Sequence, residues 1–429
     1  MFKRKYSGNN VYYNFAKVCF FYMFTDISKE SEVINFHLPK TIYILEKPKS
    51  NNEIKDLFSL FQKSMKFLLI WGQIFGLNPV SGILQNDVKK IRFTVKSWKF
   101  LFSMSMALAQ TIVTCSSLYR LFRVSFSIRA FGYMGFFATT SFTTFLFIRI
   151  ATKWPTLMRD ISNSGLDVYV DRNIIKKCNI ACVVFIGIAV TEHTLSIIAR
   201  VAQVFDCTPN GTHYEEEYYK MSIPWLYELN VPNNRGYAIV AQVATWNYND
   251  MFIVCISLYL TSILNQINKR VAISKHIPVK IWEILRNDYT RATRLIRLFD
   301  DVFSSLILIT FANDLFFMCI QLFYILAPLQ GYEIAIYLTY SMAYLIVRFL
   351  ILALAAGGVH TASKQPAPIL YQIPTTAYTS EVERFVYQVK SDVVALSGLR
   401  FFYITRELVL SVCDWHFKIC FFTHSFIIF

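Results

Sequence analysis

VFSSLILITFANDLFFMCIQLFYIL, from Val302 to Leu326, decides how the chain is read. It is long enough to cross a hydrocarbon core, which takes about 20 apolar residues as a helix. Its one charged side chain is Asp314. An acid at that depth is costly, so it marks either a structural pair or a polar cavity.

The rest of the chain has the same character. Of 429 residues, 55% are hydrophobic and 17% charged, where a soluble domain carries about a quarter charged; the mean hydropathy is +0.39. The chain therefore reads as an all-α, polytopic membrane protein. Spans are expected at roughly 97–119, 129–149, 178–205, 237–264, 302–326, 332–356 and 392–429. FLLIWGQIFGLNPVSGIL (Phe67 to Leu84) competes for an eighth. Lys63 and Lys66 precede it and Asn78-Pro79 and Gly82 interrupt it, so a membrane-surface or re-entrant helix near 57–77 is the reading adopted.

Loop charge sets the orientation. The net charge of +15 collects where positively charged segments are retained during insertion. Residues 1–96 are Lys-rich, the loop after the second span holds Lys153, Arg159, Arg172, Lys176 and Lys177, and the loop after the fourth runs from Lys269 through Arg297 with many more. These belong in the cytoplasm. The segment 206–236, containing DCTPNGTHYEEEYYK, is acidic and offers Asn210-Gly211-Thr212 for N-glycosylation, which works only on the other side. Arg120, Arg123 and Arg129 run mildly against the rule. The resulting topology has seven helices, the N-terminus cytoplasmic and the C-terminus outside, opposite to a G-protein-coupled receptor. It divides the chain into a cytoplasmic region 1–96, spans at 97–264 and 302–356, cytoplasmic segments 265–301 and 357–398, and a last helix within 399–429.

Several functions lose support. Nucleotide-binding, metalloprotease and nucleophile-elbow motifs are missing and no loop is long enough for a catalytic domain, so an enzyme is not expected. The nine cysteines are scattered without a CxxC pair, which points to neither a metal site nor a disulfide framework, and no cofactor is expected. No nucleic-acid-binding pattern accompanies the basic charge. The basic N-terminus lacks the apolar run and cleavage site of a signal peptide, and no internal repeat of the transporter kind is apparent.

Polar residues inside the spans point to chemistry. The third span has Glu192 and His193, the fourth TWNYND (Thr245 to Asp250), the fifth Asn313, Asp314 and Gln321, and the sixth Arg348. Gln242, Trp246, Asn249 and Asp250 share one helical face, as do Thr310, Asp314, Phe317, Gln321 and Tyr324. Amides and carboxylates interleaved with aromatic faces suit a sugar. The same spacing fits hydrogen bonds between helices, with Glu192 satisfying His193 or Arg348, and it also fits ion handling. Gly132 and Gly135 read as close-packing points, and Tyr337, Tyr340 and Tyr344 as core or interface residues.

TWNYNDMFI, then YTRATRLIRLFDDVFSSLILITFANDLFFMCIQLF, then VVALSGLRFFYITRELVLSV resemble the sugar-taste clade of the insect gustatory receptors, relatives of the insect odorant receptors. The likeness extends to FGLNPVSGI and RIATKWPTLM, and runs from about Leu57 to Val412. It implies the seven-helix insect chemoreceptor fold in the plasma membrane of a taste neuron. It also implies a homo- or heterotetrameric, sugar-gated cation channel whose seventh helices line the pore. Residues 265–301 and 357–398 would form the family's anchoring domain. The resemblance assigns a sugar-pocket role to Trp246, Asn247, Asp250 and Asp314; Glu192 and His193 join on depth and chemistry, and Gln321 from its stripe. Asn247 lies off its helical stripe and rests on the resemblance alone.

The match stops at Val412. The family continues with a Thr-Tyr pair and a Gln five positions later; CDWHFKICFFTHSFIIF has neither, so no pore residue is assigned. A splice or gene-model boundary explains the abrupt change, or a divergent end in which Asp414, His416 and Lys418 face a water-filled lumen. An odorant or bitter receptor shares the fold, and a secondary transporter would use Glu192, Asp250 and Asp314 for ion coupling.

Overall fold

A computed structural model describes residues 60–85, 88–123, 127–207, 235–274, 280–326 and 331–412, with Tyr218, Asp414 and Lys418. Six helices in it are long and apolar enough to cross a membrane. The described elements are α1 (Leu60–Ile74), α2 (Trp98–Arg123), α3 (Ile128–Ser164), α4 (Ile174–Cys207), α5 (Arg235–Ile273), α6 (Lys280–Leu326) and α7 (Tyr332–Lys364). Two short helices, α8 (Pro366–Leu370) and α9 (Ser380–Ser391), and a two-stranded hairpin, β1 (Ser397–Gly398) with β2 (Phe402–Tyr403), follow.

Local chemistry sets the ends. Ser127 caps α3 by accepting from Ala130 N–H at 3.1 Å, and Gly165 closes it in the left-handed conformation at φ 65°, a helix stop that glycine adopts without a Cβ penalty. α1 has 15 residues, about 22 Å of helix, less than a hydrocarbon core of about 30 Å. It is held by Phe61, whose ring packs on Tyr259 at 4.6 Å and Phe299 at 5.6 Å, and by Gly72, where a Cβ would stand 2.7 Å from the Tyr248 ring.

α5 is the enclosed helix of the bundle. Of its apolar window 72% is buried, against 22% for α2 and 28% for α4, so polar side chains on α5 must find partners among neighbouring helices. α2 and α4 turn Leu108, Ile112, Val183 and Val190 outward, as lipid-facing helices do.

The helices overrun the spans expected from sequence. α6 has 47 residues, about 70 Å, more than twice the core thickness. Its first turns, together with the ends of α5 and α7, form a polar-faced extension on which α9 docks. Val382, Phe385, Val386 and Val389 of α9 are buried at helical spacing, and Arg286 of α6 pairs with Glu381 at 2.8 Å. Lys364 closes α9 by donating to Val389 O at 2.8 Å, Lys390 O at 3.1 Å and Asp392 O at 2.8 Å.

The segment expected to begin a seventh span at 392 is a hairpin instead; residues 406–412 are helical, and Asp414 and Lys418 pair at 2.6 Å. Leu399 and Arg400 take φ of 50° and 62°, the double positive turn that matches strand twist. The extended character of 392–405 comes from this turn and from Asp300, which accepts from Ser397 N–H at 2.6 Å and Ser397 Oγ–H at 2.8 Å. Asn210, and most of the acidic loop around it, lies outside the described residues.

Candidate functional site

Three helices deliver one ionic cluster. Asp250 of α5 meets Arg348 Nε of α7 at 2.6 Å, and Asp314 of α6 accepts from Arg348 Nη2. All three are buried, at 0%, 2% and 1% exposure respectively for Asp250, Arg348 and Asp314. Deep burial leaves such charges stable only when they answer one another. The guanidinium also lies over the Trp246 ring at 4.2 Å, a cation–π contact that strengthens away from water.

Around it the remaining sequence-predicted residues divide. Trp246 packs on Phe317 at 5.0 Å and Phe136 at 5.6 Å, tying the cluster to α6 and α3. Asn247, off its helical stripe, accepts from the Tyr344 hydroxyl, and Tyr344 stands 5.6 Å from Arg348. Glu192 accepts from Ser341 Oγ at 3.2 Å, while half-buried His193 has no described contact with the ionic cluster. Gln321 donates to Leu338 O at 3.3 Å and joins α6 to α7. Arg348 and Tyr344 were absent from the residues assigned to the pocket from sequence. A lone cation in one span beside acids in two others was the available signal for Arg348.

Buried acceptors are left over on Asp250 and on Asn249 and Asn313, its chain neighbour and that of Asp314. Asn249 Oδ1, Asp250 Oδ1 and Asn313 Oδ1 are buried and have no hydrogen-bond partner in the protein. Asn249 donates to Thr143 of α3 at 3.5 Å, and Asn313 lies one turn from Phe317 on the same helical face. An unanswered buried acceptor costs about 1–3 kcal/mol. A ligand rich in hydroxyl donors would remove that cost, and the Trp246 and Phe317 faces would cover its C–H side.

Residues 46–414 match the sequence profile of the family described as Trehalose receptor. The chain belongs to this family. Similar curated relatives include the Drosophila melanogaster gustatory receptor for sugar taste 64a, 26% identical over 376 residues covering 82% of this chain and 81% of the relative. The gustatory receptor 5a for trehalose of the same organism is 26% identical over 366 residues, covering 82% of each chain. Among solved structures, the olfactory receptor OR5 of Machilis hrabei in complex with eugenol aligns with a TM-score of 0.62 and 13% identity, over 86% of this chain and 99% of that one. The helical fold of the insect chemoreceptors is thereby shared. This trehalose-receptor family member is a multi-pass gustatory receptor of the taste-neuron plasma membrane.

Proposed function

We propose that the chain is a sugar-binding subunit of a ligand-gated, non-selective cation channel, assembled as a homo- or heterotetramer with related receptors. The observation that carries this reading is the buried cluster of α5, α6 and α7, whose unpartnered acceptors sit beside an aromatic face. The site residues are Trp246, Asn247, Asp250, Asp314 and Gln321 with Glu192 and His193, to which Asn249, Asn313, Tyr344 and Arg348 are added. Arg348 holds Asp250 and Asp314 in a closed arrangement. A sugar hydroxyl that donates to either carboxylate competes with that arrangement, and it shifts the gate only by its differential affinity for the two states.

The orientation belongs to the same proposal: N-terminus in the cytoplasm, seven helices, Asn210 glycosylated outside, and the extension around α9 serving as the anchor. Protease access to a tag at Met1 in intact cells tests it directly. Ion coupling gains little from the cluster, since carboxylates engaged by a guanidinium are poorly placed to carry protons or sodium.

Binding is tested on the purified chain, independently of any current. Trehalose, sucrose and glucose are titrated while the melting temperature is followed, because a ligand that binds only the folded state raises it. The proposal expects a saturable rise for at least one neutral sugar, lost in Trp246→Ala. A melting temperature unmoved by every sugar contradicts it.

A further inference from the structure

We propose that the loop joining α3 to α4 is a pH-dependent clasp, which grips α5 while Asp167 is protonated and lets go once it is ionised. The loop leaves α3 at Gly165, makes a single 3-10 turn over Asp167–Tyr169 and enters α4 at Ile174. It is short, yet fastened to two other helices. Asp171 N–H donates to Ser262 Oγ of α5 at 3.0 Å. The Tyr169 hydroxyl accepts from Arg270 Nη1 of α5 at 2.9 Å and donates to Asp288 of α6, and the Arg270 guanidinium lies 4.4 Å over its ring. Arg291 of α6 takes the second oxygen of Asp288.

Each of those charges is answered; Asp167 is the exception. Its carboxyl is buried. Among the described residues it pairs with no cation, and its one side-chain partner is the Tyr259 hydroxyl of α5 at 3.5 Å, the outer limit of a hydrogen bond. Tyr259 is held at that distance by the rings of Phe61, at 4.6 Å, and Phe299, at 6.4 Å. The charged groups of the neighbouring elements are engaged elsewhere or turned to solvent. Arg270 lies on Tyr169 and Arg291 on Asp288. At the head of α4, Lys177 stands 3.9 Å from Asp171, and Arg172 and Lys176 are exposed. Near the end of α3, Arg159 is exposed and donates to Pro155 O at 3.2 Å, and half-buried Asp160 brings no positive charge.

A carboxyl in that setting is stable when neutral. An ionised one needs a cation or water, which the closed loop withholds. Burial holds the Asp167 carboxyl up to about 7, and once the loop opens it returns to the ordinary value of about 3.9. Opening therefore becomes about tenfold easier for each pH unit from about 4 to about 7, and little easier above that. The Tyr169 hydroxyl is pushed upward by burial and by Asp288 and keeps its proton throughout, so the response comes from Asp167. The helix that the loop grips also carries Trp246 and Asp250, so the pH that frees the loop alters the support of the sugar site. That consequence rests on the function proposed above; the clasp does not.

The test is hydrogen–deuterium exchange of the full-length chain in sugar-free lipid nanodiscs from about pH 5 to about pH 8, with each rate corrected for the intrinsic effect of pH. The reporters are the N–H groups of Tyr169, Val170 and Asp171, which donate to Leu166 O at 2.9 Å, Asp167 O at 3.1 Å and Ser262 Oγ at 3.0 Å. Their protection is expected to fall by roughly fiftyfold from pH 5 to pH 7 and by less than about threefold beyond. Asp167→Asn, which keeps the shape and cannot ionise, is expected to hold it constant, and Asp171→Asn to fall as the parent does. A flat profile in the parent, a fall persisting in Asp167→Asn or a fall abolished by Asp171→Asn overturns the proposal. So does an equal fall along α6, which would be unfolding of the whole chain. No sugar is present and neither face of the membrane is assigned, so failure here is separable from failure of sugar binding or of the orientation.

Discussion

Arg348 sits in the middle of an apolar helix, where a guanidinium persists only if its charge is answered on the spot. Asp250 and Asp314 answer it together, which sets a test of what the cluster does for the fold. Arg348→Met leaves two buried carboxylates facing each other and is expected to cost about 3–5 kcal/mol, seen as lost surface expression and a lower melting temperature. Adding Asp250→Asn and Asp314→Asn to it should recover most of that loss. Asn313 separates structure from ligand more finely. Its Oδ1 has no partner in the protein, so Asn313→Leu should leave the melting temperature unchanged or raised while weakening the sugar response by about tenfold. An unchanged dose–response curve would assign Asn313 to packing. Sequence spacing was enough to find Asp250, Asp314 and Trp246, because helical periodicity places side chains on a face. It could not pair them with Arg348, since pairing depends on how three helices are rotated about their axes. The contact of Asn247 with Tyr344, which crosses between stripes, was hidden for the same reason.

A second residue carries a pH prediction. Asp167, between α3 and α4, is buried at 7% exposure, and burial raises its carboxyl to about 7, partly opposed by the hydroxyl of Tyr259 at 3.5 Å. The folded value exceeds the unfolded one of about 3.9, so the neutral acid is favoured by folding. Stability is fully present below about pH 4 and declines as pH rises towards 7. Asp167→Asn should therefore raise the melting temperature increasingly from pH 5 to about pH 7 and by a constant amount above that. A gain independent of pH would show that the charge is not its cause.

At the scale of elements, α6 carries Asp314 within its apolar stretch and Asp300 and Asp301 before it. Asp300 takes both polar hydrogens of Ser397, and Arg400 reaches Asp301 at 2.8 Å. Phe402 of β2 packs on Phe311 at 5.7 Å, and Phe311 on Phe349, the neighbour of Arg348, at 5.6 Å. The hairpin is thus clamped to α6, one of the three helices that hold the cluster, and reaches α7 through Phe311, and the terminal helical residues follow it. Asp300→Asn keeps the shape and removes the charge behind two hydrogen bonds worth about 1.5–3 kcal/mol each. It should depress maximal sugar-evoked current more than it shifts the half-maximal sugar concentration; a shift in concentration alone would deny the hairpin a part in gating. Gly398 admits no side chain, since a Cβ would stand 2.5 Å from the Phe402 ring. Helices α2 to α7 were legible from their apolar runs. The extension of α6 back to Lys280 was not, because residues 280–301 mix charge with apolar positions and bury their face against elements distant in sequence, Phe299 on Phe61 of α1 and Tyr289 on Phe385 of α9. Nor was the hairpin, whose strands of two residues each are too short for an alternating pattern.

At the scale of the whole molecule, the shared chemoreceptor fold and the trehalose-receptor family leave gating as the central claim. The proposal is that sugar evokes current through a pore built by the last helix; the family match ends at residue 414. The direct measurement is whole-cell current during a sugar panel, in cells with verified surface expression. This chain is compared with one whose residues after Val412 are replaced by the family's apolar helix ending, and with Asn313→Leu in that background. The account predicts sugar-evoked cation current from the restored chain and a response weakened by Asn313→Leu. A restored chain present at the surface but silent to every sugar, alone and with related receptors, would contradict it.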